Sequence, residues 1–163
     1  MSCLSSGTFY ATTRSMEILV QALQVIVALG LLNVWLIRAS KSTPYRGGDA
    51  ETISEEFATY GLPTFMIFVV GGLKVIIALA MIVGIWVNAV IVPAAAVLIV
   101  LMLGAFVMHL KVKDPIKKAI PSLLMLGMAA GLLNSVRTVA DMRRKLDEQD
   151  EHNLRPKGSQ DEE

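Results

Sequence analysis

Four stretches of this chain are almost free of charge, and the charged residues crowd between them. Residues 18–37, 63–85, 89–108 and 120–136 are each predominantly apolar over about twenty positions, enough at about 1.5 Å per residue to cross a hydrocarbon core about 30 Å thick. The second and third merge into one apolar run from residue 62 to residue 110, twice what one crossing needs, so a turn must lie within it. Gly84, Trp86 and Asn88 mark that turn, with Trp86 at the headgroup level. Pro93 then falls in the first turn or two of the third helix, where its missing N–H matters least. The pattern predicts an all-α fold, a four-transmembrane-helix bundle. Both termini and the 84–88 turn lie on one side, and the two longer loops lie on the other.

The longest loop carries a second pattern. From about residue 50 to residue 60, Ile53, Phe57 and Tyr60 recur at i, i+4 and i+7, opposite Glu51, Glu55 and Glu56. This spacing predicts a short amphipathic surface helix, capped by Asp49 and ended by Gly61 and Pro63, with its apolar stripe against the bundle or the lipid. In the third loop Asp114-Pro115 and Pro121 both fit a helix start, which would place the fourth span at 120–136. Past Arg137 that helix should continue into water through about Gln149, with Arg144 and Glu148 at pairing distance. The organisation is thus a polar N-terminus over residues 1–16, a membrane domain over 17–149, and a disordered acidic tail over 150–163 that ends in Asp161, Glu162 and Glu163.

Composition agrees with a bilayer as solvent. Of 163 residues, 54% are hydrophobic, against about 45–50% in soluble domains even with glycine counted, and the mean hydropathy is +0.58. A net charge of +1 argues against nucleic-acid binding by counterion release. The first span is longer than the roughly 7–15 apolar residues of a cleavable signal sequence, so it reads as a retained helix. Orientation is close to balanced. Near the membrane, Arg14, Arg137, Arg143, Arg144 and Lys145 lie on the terminal side, and Arg38, Lys41, Arg46, Lys111, Lys113, Lys117 and Lys118 lie on the loop side. The small excess on the loop side tilts toward cytoplasmic loops.

Candidate chemistry is sparse. Cys3 is the single cysteine, which leaves no disulfide or CxxC pair, and His109 and His152 cannot form a bis-histidine haem site between helices of one chain. No phosphate-cradling glycine loop, nucleophile elbow or catalytic triad is present. Lys74 stands out, since it lies near mid-bilayer, where a charge costs about 2.5–3.5 kcal/mol on insertion scales. No Asp or Glu lies in any span, so its expected partners are amides or backbone carbonyls, Gln24 first, unless its stem snorkels to an interface. Glu17, Gln21, Gln24 and Ala28 share one helical face that should turn toward other helices. His109 reads as a cap or surface residue before a ligand or relay, and with Asp114 alone it offers too few ligands for a metal. Gly127, Gly131 and Ser135 form a small-residue ridge on the fourth span for close packing, either within the bundle or against a second copy.

The stretch from Tyr60 to about Leu133 resembles the DoxX-like family of small four-helix membrane proteins. The matching residues are YGLP at 60–63, GGLKVIIALAMIVGIW at 71–86 and LMLGAFVMHLKVKDPIKKAIPSLLML at 101–126, and YRGG at 45–48 is similar too. The most specific part runs from His109 through Pro115. Many members have an acidic residue where this chain has Lys74, so a role built on a buried carboxylate does not transfer. The resemblance implies a fold rather than a reaction: the family is named for a subunit associated with thiosulfate and quinone oxidoreduction, and it is distantly similar to an animal receptor chaperone. It implies a multi-pass protein of a bacterial cytoplasmic membrane with no intrinsic cofactor beyond a bound lipid or quinone. Two functions follow. One is a non-enzymatic subunit or assembly factor that binds a lipid, a quinone, a partner helix of another membrane protein or a second copy of itself. The other is a small subunit of a membrane oxidoreductase that takes its electrons from another chain. A third, less favoured, is a transporter lined by Gln21, Gln24 and Lys74.

Overall fold

The computed structural model describes residues 2–154. Helix α1 runs over Ser2–Leu32 and continues as a π-helical turn over Asn33–Ile37. The surface helix α2 covers Ile53–Thr59, α3 Phe65–Val83, α4 Ile91–Lys111 after a 3-10 turn at Asn88–Val90, and α5 Ile116–Leu154. Among the described residues four helices are long and apolar enough to span a membrane, within Tyr10–Ile37, Phe65–Val83, Asn88–Lys111 and Ile116–His152. The all-α four-span bundle expected from charge spacing is therefore the observed fold, with the hidden turn at residues 84–88.

The helices pack through small side chains. Ala28 of α1, Ala78 of α3, Ala95 of α4 and Ala129 of α5 are fully buried, and Val27, Met81, Leu98 and Leu132 fill the space around them. Lipid tails are as apolar as leucine, so helices in a bilayer gain from close backbone approach rather than from escaping the solvent. Alanine supplies that approach within the bundle, and of the two places expected for the glycine ridge the intramolecular one is not used. Gly127 and Gly131 are exposed, a Cβ on either would meet nothing within 4 Å, and Ser135 is half-buried. The ridge points away from the bundle because Ala129 and Leu132 take the inward face of α5.

Two local expectations change, the cap of α2 and the start of the fourth span. The cap of α2 is Thr52, whose side chain accepts from the Glu55 N–H at 3.3 Å, while the Glu55 carboxylate accepts from the Glu51 N–H at 2.8 Å. A Thr at the cap with a Glu three residues on is a stronger start signal than the earlier Asp49. The stripe of Ile53, Phe57 and Tyr60 is buried against the bundle. Helix α5 begins directly after Pro115, so Pro121 lies inside it and the helix starts four residues before the expected span.

Beyond the membrane the chain is more ordered than its polarity implies. Residues 2–16, expected as a polar terminus, are helical, and α5 stays helical through Leu154, so the first five residues of the expected tail belong to a helix and residues 155–163 lie outside the described ones. The two extensions hold each other. Arg143 bonds Glu17 at 2.8 Å, Tyr10 Oη donates to Asp150 at 2.7 Å, and Thr13 and Leu146 are buried between them. Hydrophobic periodicity does not reveal this pairing, because the bonds that join the two extensions are between polar side chains.

With Cys3 replaced by serine, single cysteines at Ser42 and Lys113 should react with an impermeant maleimide from one face of sealed vesicles, and a cysteine at Asn88 only from the other. Labelling of all three from one face would contradict the four-span fold.

Candidate functional site

Two loops meet on one side of the bundle, and a buried polar network joins them. Arg46 is 6% exposed and sits at its centre. Its guanidinium donates to the carbonyls of Arg38 at 2.7 Å, Ala39 at 3.0 Å, Lys41 at 3.0 Å and Glu51 at 2.9 Å, and pairs with Glu56 at 3.2 Å. The Arg38 and Ala39 carbonyls also accept the N–H groups of Lys41 and Ile53, both at 3.1 Å, and the planar fork of an arginine can reach several carbonyls at once. Glu56, expected on the solvated face of α2, instead turns inward. It also accepts from the Gly47 N–H at 2.9 Å and from the Tyr60 hydroxyl at 3.0 Å.

Tyr60 carries the network across to α4. Its hydroxyl lies 3.3 Å from His109 Nδ1, and the two rings meet edge to face with centroids 5.8 Å apart. His109 Nδ1 lies 2.8 Å from Asp114 Oδ2, and Asp114 Oδ1 accepts from the Gly48 N–H at 3.0 Å. Lys118 donates to the Gly48 carbonyl, and Lys111 donates to the Tyr60 carbonyl at 2.9 Å. Gly48 takes φ +55, in the left-handed region that glycine enters without cost, and a Cβ on Gly47 would run into the Tyr60 ring. The two glycines thus let the 45–48 turn lie flat against Tyr60 and Asp114.

Burial raises the Tyr60 phenol well above its ordinary value, and the adjacent Glu56 carboxylate raises it further, so Tyr60 remains a donor. For Asp114 burial pushes upward too, but the His109 hydrogen bond, the Gly48 N–H and the nearby charges of His109 and Lys118 hold its carboxyl below the usual range. The network is built to keep Asp114 ionised.

Beside it lies a cleft of about 630 Å³ between the end of α1, the start of α2 and the first half of α3. Trp35, Ile53, Ile67, Phe68, Gly71 and Val75 line its apolar part, and Ser40, Thr52 and Ser54 bring hydroxyl-bearing side chains to its lining. Phe68 is 77% exposed and Leu36 64% exposed, so the cleft opens sideways toward lipid. Trp35 is held from three directions. A Cβ on Gly71 would stand 2.6 Å from its ring, Phe57 meets it edge-on at 6.3 Å, and the Lys74 ammonium sits 4.9 Å from a ring centroid. The last is a cation–π contact, which gains strength away from water.

The residues singled out by sequence fall into separate places. His109 and Asp114 meet directly, inside the loop network. Lys74 and Gln24 do not meet: Lys74 lies on Trp35, while Gln24, 1% exposed, has its Nε2 3.5 Å from the Met81 carbonyl and its Oε1 without a hydrogen-bond partner. Met81 is two helical turns further along α3 than Lys74, roughly 10 Å. Gln21 is exposed rather than turned inward. The path of a transporter lined by Gln21, Gln24 and Lys74 is therefore not assembled. Arg46, Glu56, Tyr60 and Trp35 belong to the site without being singled out by the sequence pattern. The adjacent glycines after Arg46, and the i, i+4 spacing of Glu56 and Tyr60, were the signals available for the first three.

This architecture defines a multi-pass membrane protein of four helices whose loops are locked together on one side. The model of the DoxX-like family matches residues 23–131, well over half of the chain. The chain belongs to the DoxX-like family. No curated protein and no solved structure matches it. The matched region holds the whole loop network and the cleft, and leaves out the paired helical extensions.

Two predictions concern the network. Replacing Arg46 with glutamine strands Glu56 and several carbonyls, and should cost about 3–5 kcal/mol of unfolding free energy in a mild-to-harsh detergent titration. Asp114 has a folded pKa below its unfolded value of about 3.9. Its contribution is therefore complete above that value and is lost as pH falls through the folded one. Asp114→Asn should be less stable than wild type at pH 7, and the gap in melting temperature should close below pH 4. A gap that stays constant down to pH 2.5 would mean that the charge of Asp114 is not what the network uses.

Proposed function

We propose that this protein is a non-enzymatic subunit or assembly factor of a bacterial cytoplasmic membrane, and that its bundle holds one amphiphile of the bilayer, a lipid or a quinone, in the cleft beside Trp35. The cleft is the observation that carries the reading. Small-molecule sites are commonly concavities of about 300–1,000 Å³ with mainly apolar and aromatic walls and a few polar groups that fix orientation. This one has a rigidly held indole as a wall, three hydroxyl-bearing residues among its lining, and a side opening at the depth of the lipid. A molecule with a polar head and an apolar body matches that arrangement, with its head at the loop end and its body along Ile67, Phe68, Gly72 and Val75.

The locked loops support the same reading. Helix α2 closes one end of the cleft with Ile53 and is itself pinned by Arg46 and Tyr60. The cleft is thereby preformed, which lowers the ordering cost of binding.

The protein purified gently from its own membrane should carry a near-stoichiometric amphiphile that mass spectrometry of the solvent extract identifies. Gly72 lines the cleft, and a Cβ there meets nothing within 4 Å, so Gly72→Phe should fill the space without a backbone clash. That variant should fold, melt within a few degrees of wild type and lose the amphiphile. Equal retention by both proteins, or an empty wild type, would sink the proposal.

A further inference from the structure

We infer that the cleft reads its occupant through a carbonyl oxygen that accepts from the Trp35 indole N–H, and is indifferent to the charge of the headgroup; this rests on the proposal that the cleft holds an amphiphile. Every contact that fixes Trp35 uses the carbon frame of its ring. A Cβ on Gly71 would stand 2.6 Å from Cε3 and from Cζ3, Phe57 meets the ring edge-on, and the Lys74 ammonium lies over it. The N–H is on the edge opposite Cε3 and Cζ3, and no residue among the described ones accepts from it. An indole nitrogen can only donate, and a tryptophan packed into a protein usually finds an acceptor for it.

That donor is neither sealed in nor served by water. Among the described residues the fully enclosed side-chain polar atom without a partner is Gln24 Oε1, so the Trp35 nitrogen reaches open space, and the space that Trp35 lines is the cleft. Gly71, on which the ring rests, is six residues into α3 and so roughly 9 Å below its loop-side end, where a bilayer has no water to satisfy an N–H. The acceptor is left to the occupant. The backbone carries a matching mark, since Trp35 sits in the π-helical turn Asn33–Ile37, a conformation that is rare and concentrated at functional sites. The Thr52 oxygen accepts from the Glu55 N–H and keeps its own hydrogen to give, and the Ser40 and Ser54 hydroxyls bond nothing among the described residues. Charge adds no preference of its own, because Arg38, Lys41, Arg46 and Lys74 are balanced by Asp49, Glu51, Glu55 and Glu56. The lining thus offers donors without a net field. That suits a carbonyl, from the glycerol ester of a lipid or the ring of a quinone, better than an ionised group.

The test deletes the N–H and keeps the ring. Site-specific replacement of the Trp35 indole by benzothiophene preserves its shape without the donor, and the melting temperature checks that the fold survives. The full-length protein is reconstituted with equal amounts of ester-linked and ether-linked phosphatidylcholine of one chain length and repurified gently. Its bound lipid is counted above the level held by Gly72→Phe, whose cleft is filled. Wild type should hold the ester lipid over the ether lipid by about fivefold, the worth of one net hydrogen bond of about 1 kcal/mol, and the benzothiophene protein should hold both equally. Phosphatidylglycerol in place of phosphatidylcholine should change neither ratio nor occupancy. An added quinone with a short alkyl tail that displaces the ester lipid from wild type assigns the carbonyl to a quinone ring, and failure to displace it assigns the carbonyl to the glycerol ester. Equal holding of ester and ether lipids by wild type, an ester preference that survives loss of the N–H, or enrichment by headgroup charge overturns the carbonyl reading while the amphiphile site stands. Wild type that holds no more lipid or quinone than Gly72→Phe removes the site itself.

Discussion

Arg46 is a charge that no longer sees water, and the loop side of the molecule is organised by the need to satisfy it. An isolated buried guanidinium would cost several kcal/mol, and without it the Lys41 and Glu51 carbonyls would lose the N–H groups they accept. Bringing them together answers both needs. Once Glu56 has turned inward to pair with Arg46, Tyr60, His109, Asp114 and the two glycines follow in one hydrogen-bonded chain. Inside the bilayer, packing among alanines and leucines sets how closely the helices approach but discriminates weakly between registers. The polar chain at the loop end supplies the discrimination, because its bonds exist in only one alignment of α2 with α4 and α5.

The cleft is a by-product of that alignment. The π-helical turn at Asn33–Ile37 carries Trp35, and Gly71 lets its ring settle onto α3. α2 cannot fill the space beyond Trp35, because Arg46 and Tyr60 hold it where Ile53 reaches only the edge. An apolar concavity with Ser40, Thr52 and Ser54 in its lining therefore remains between the end of α1, α2 and α3.

Most of the architecture was legible in the sequence because membrane spans obey a length rule and a charge rule at once. The hidden turn between α3 and α4 followed from a run too long for one crossing, and the α2 stripe followed from its spacing. The site was legible only in part. Asp114 and His109 are five residues apart at a helix end, so proximity could be read directly. Lys74 and Gln24 were matched by depth counted from span ends, whereas the antiparallel register of α1 and α3 sets Trp35 against Gly71 and Gln24 against Met81. Register between helices is a tertiary property, and one chain's hydropathy carries almost no information about it. The inward turn of Glu56 was hidden for a related reason: on an amphipathic helix a glutamate beside two others reads as solvated until its buried arginine is known.

The loop network also bears on how the protein is made. Gly48 and Asp114 are 66 residues apart in the chain, and Tyr60 and His109 are 49 apart. When the first hairpin of helices has emerged from the ribosome, Arg46, Glu56 and the Tyr60 hydroxyl can already bond, but the Gly48 amide and the far side of Tyr60 wait for Asp114 and His109, until the end of α4 has been synthesised and threaded to the same side. The intermediate therefore exposes a half-built polar surface that closes only when the end of α4 has arrived with the correct topology. A bundle with α4 missing or inverted would leave that surface open, which gives membrane quality control a chemical difference to recognise between finished and unfinished molecules.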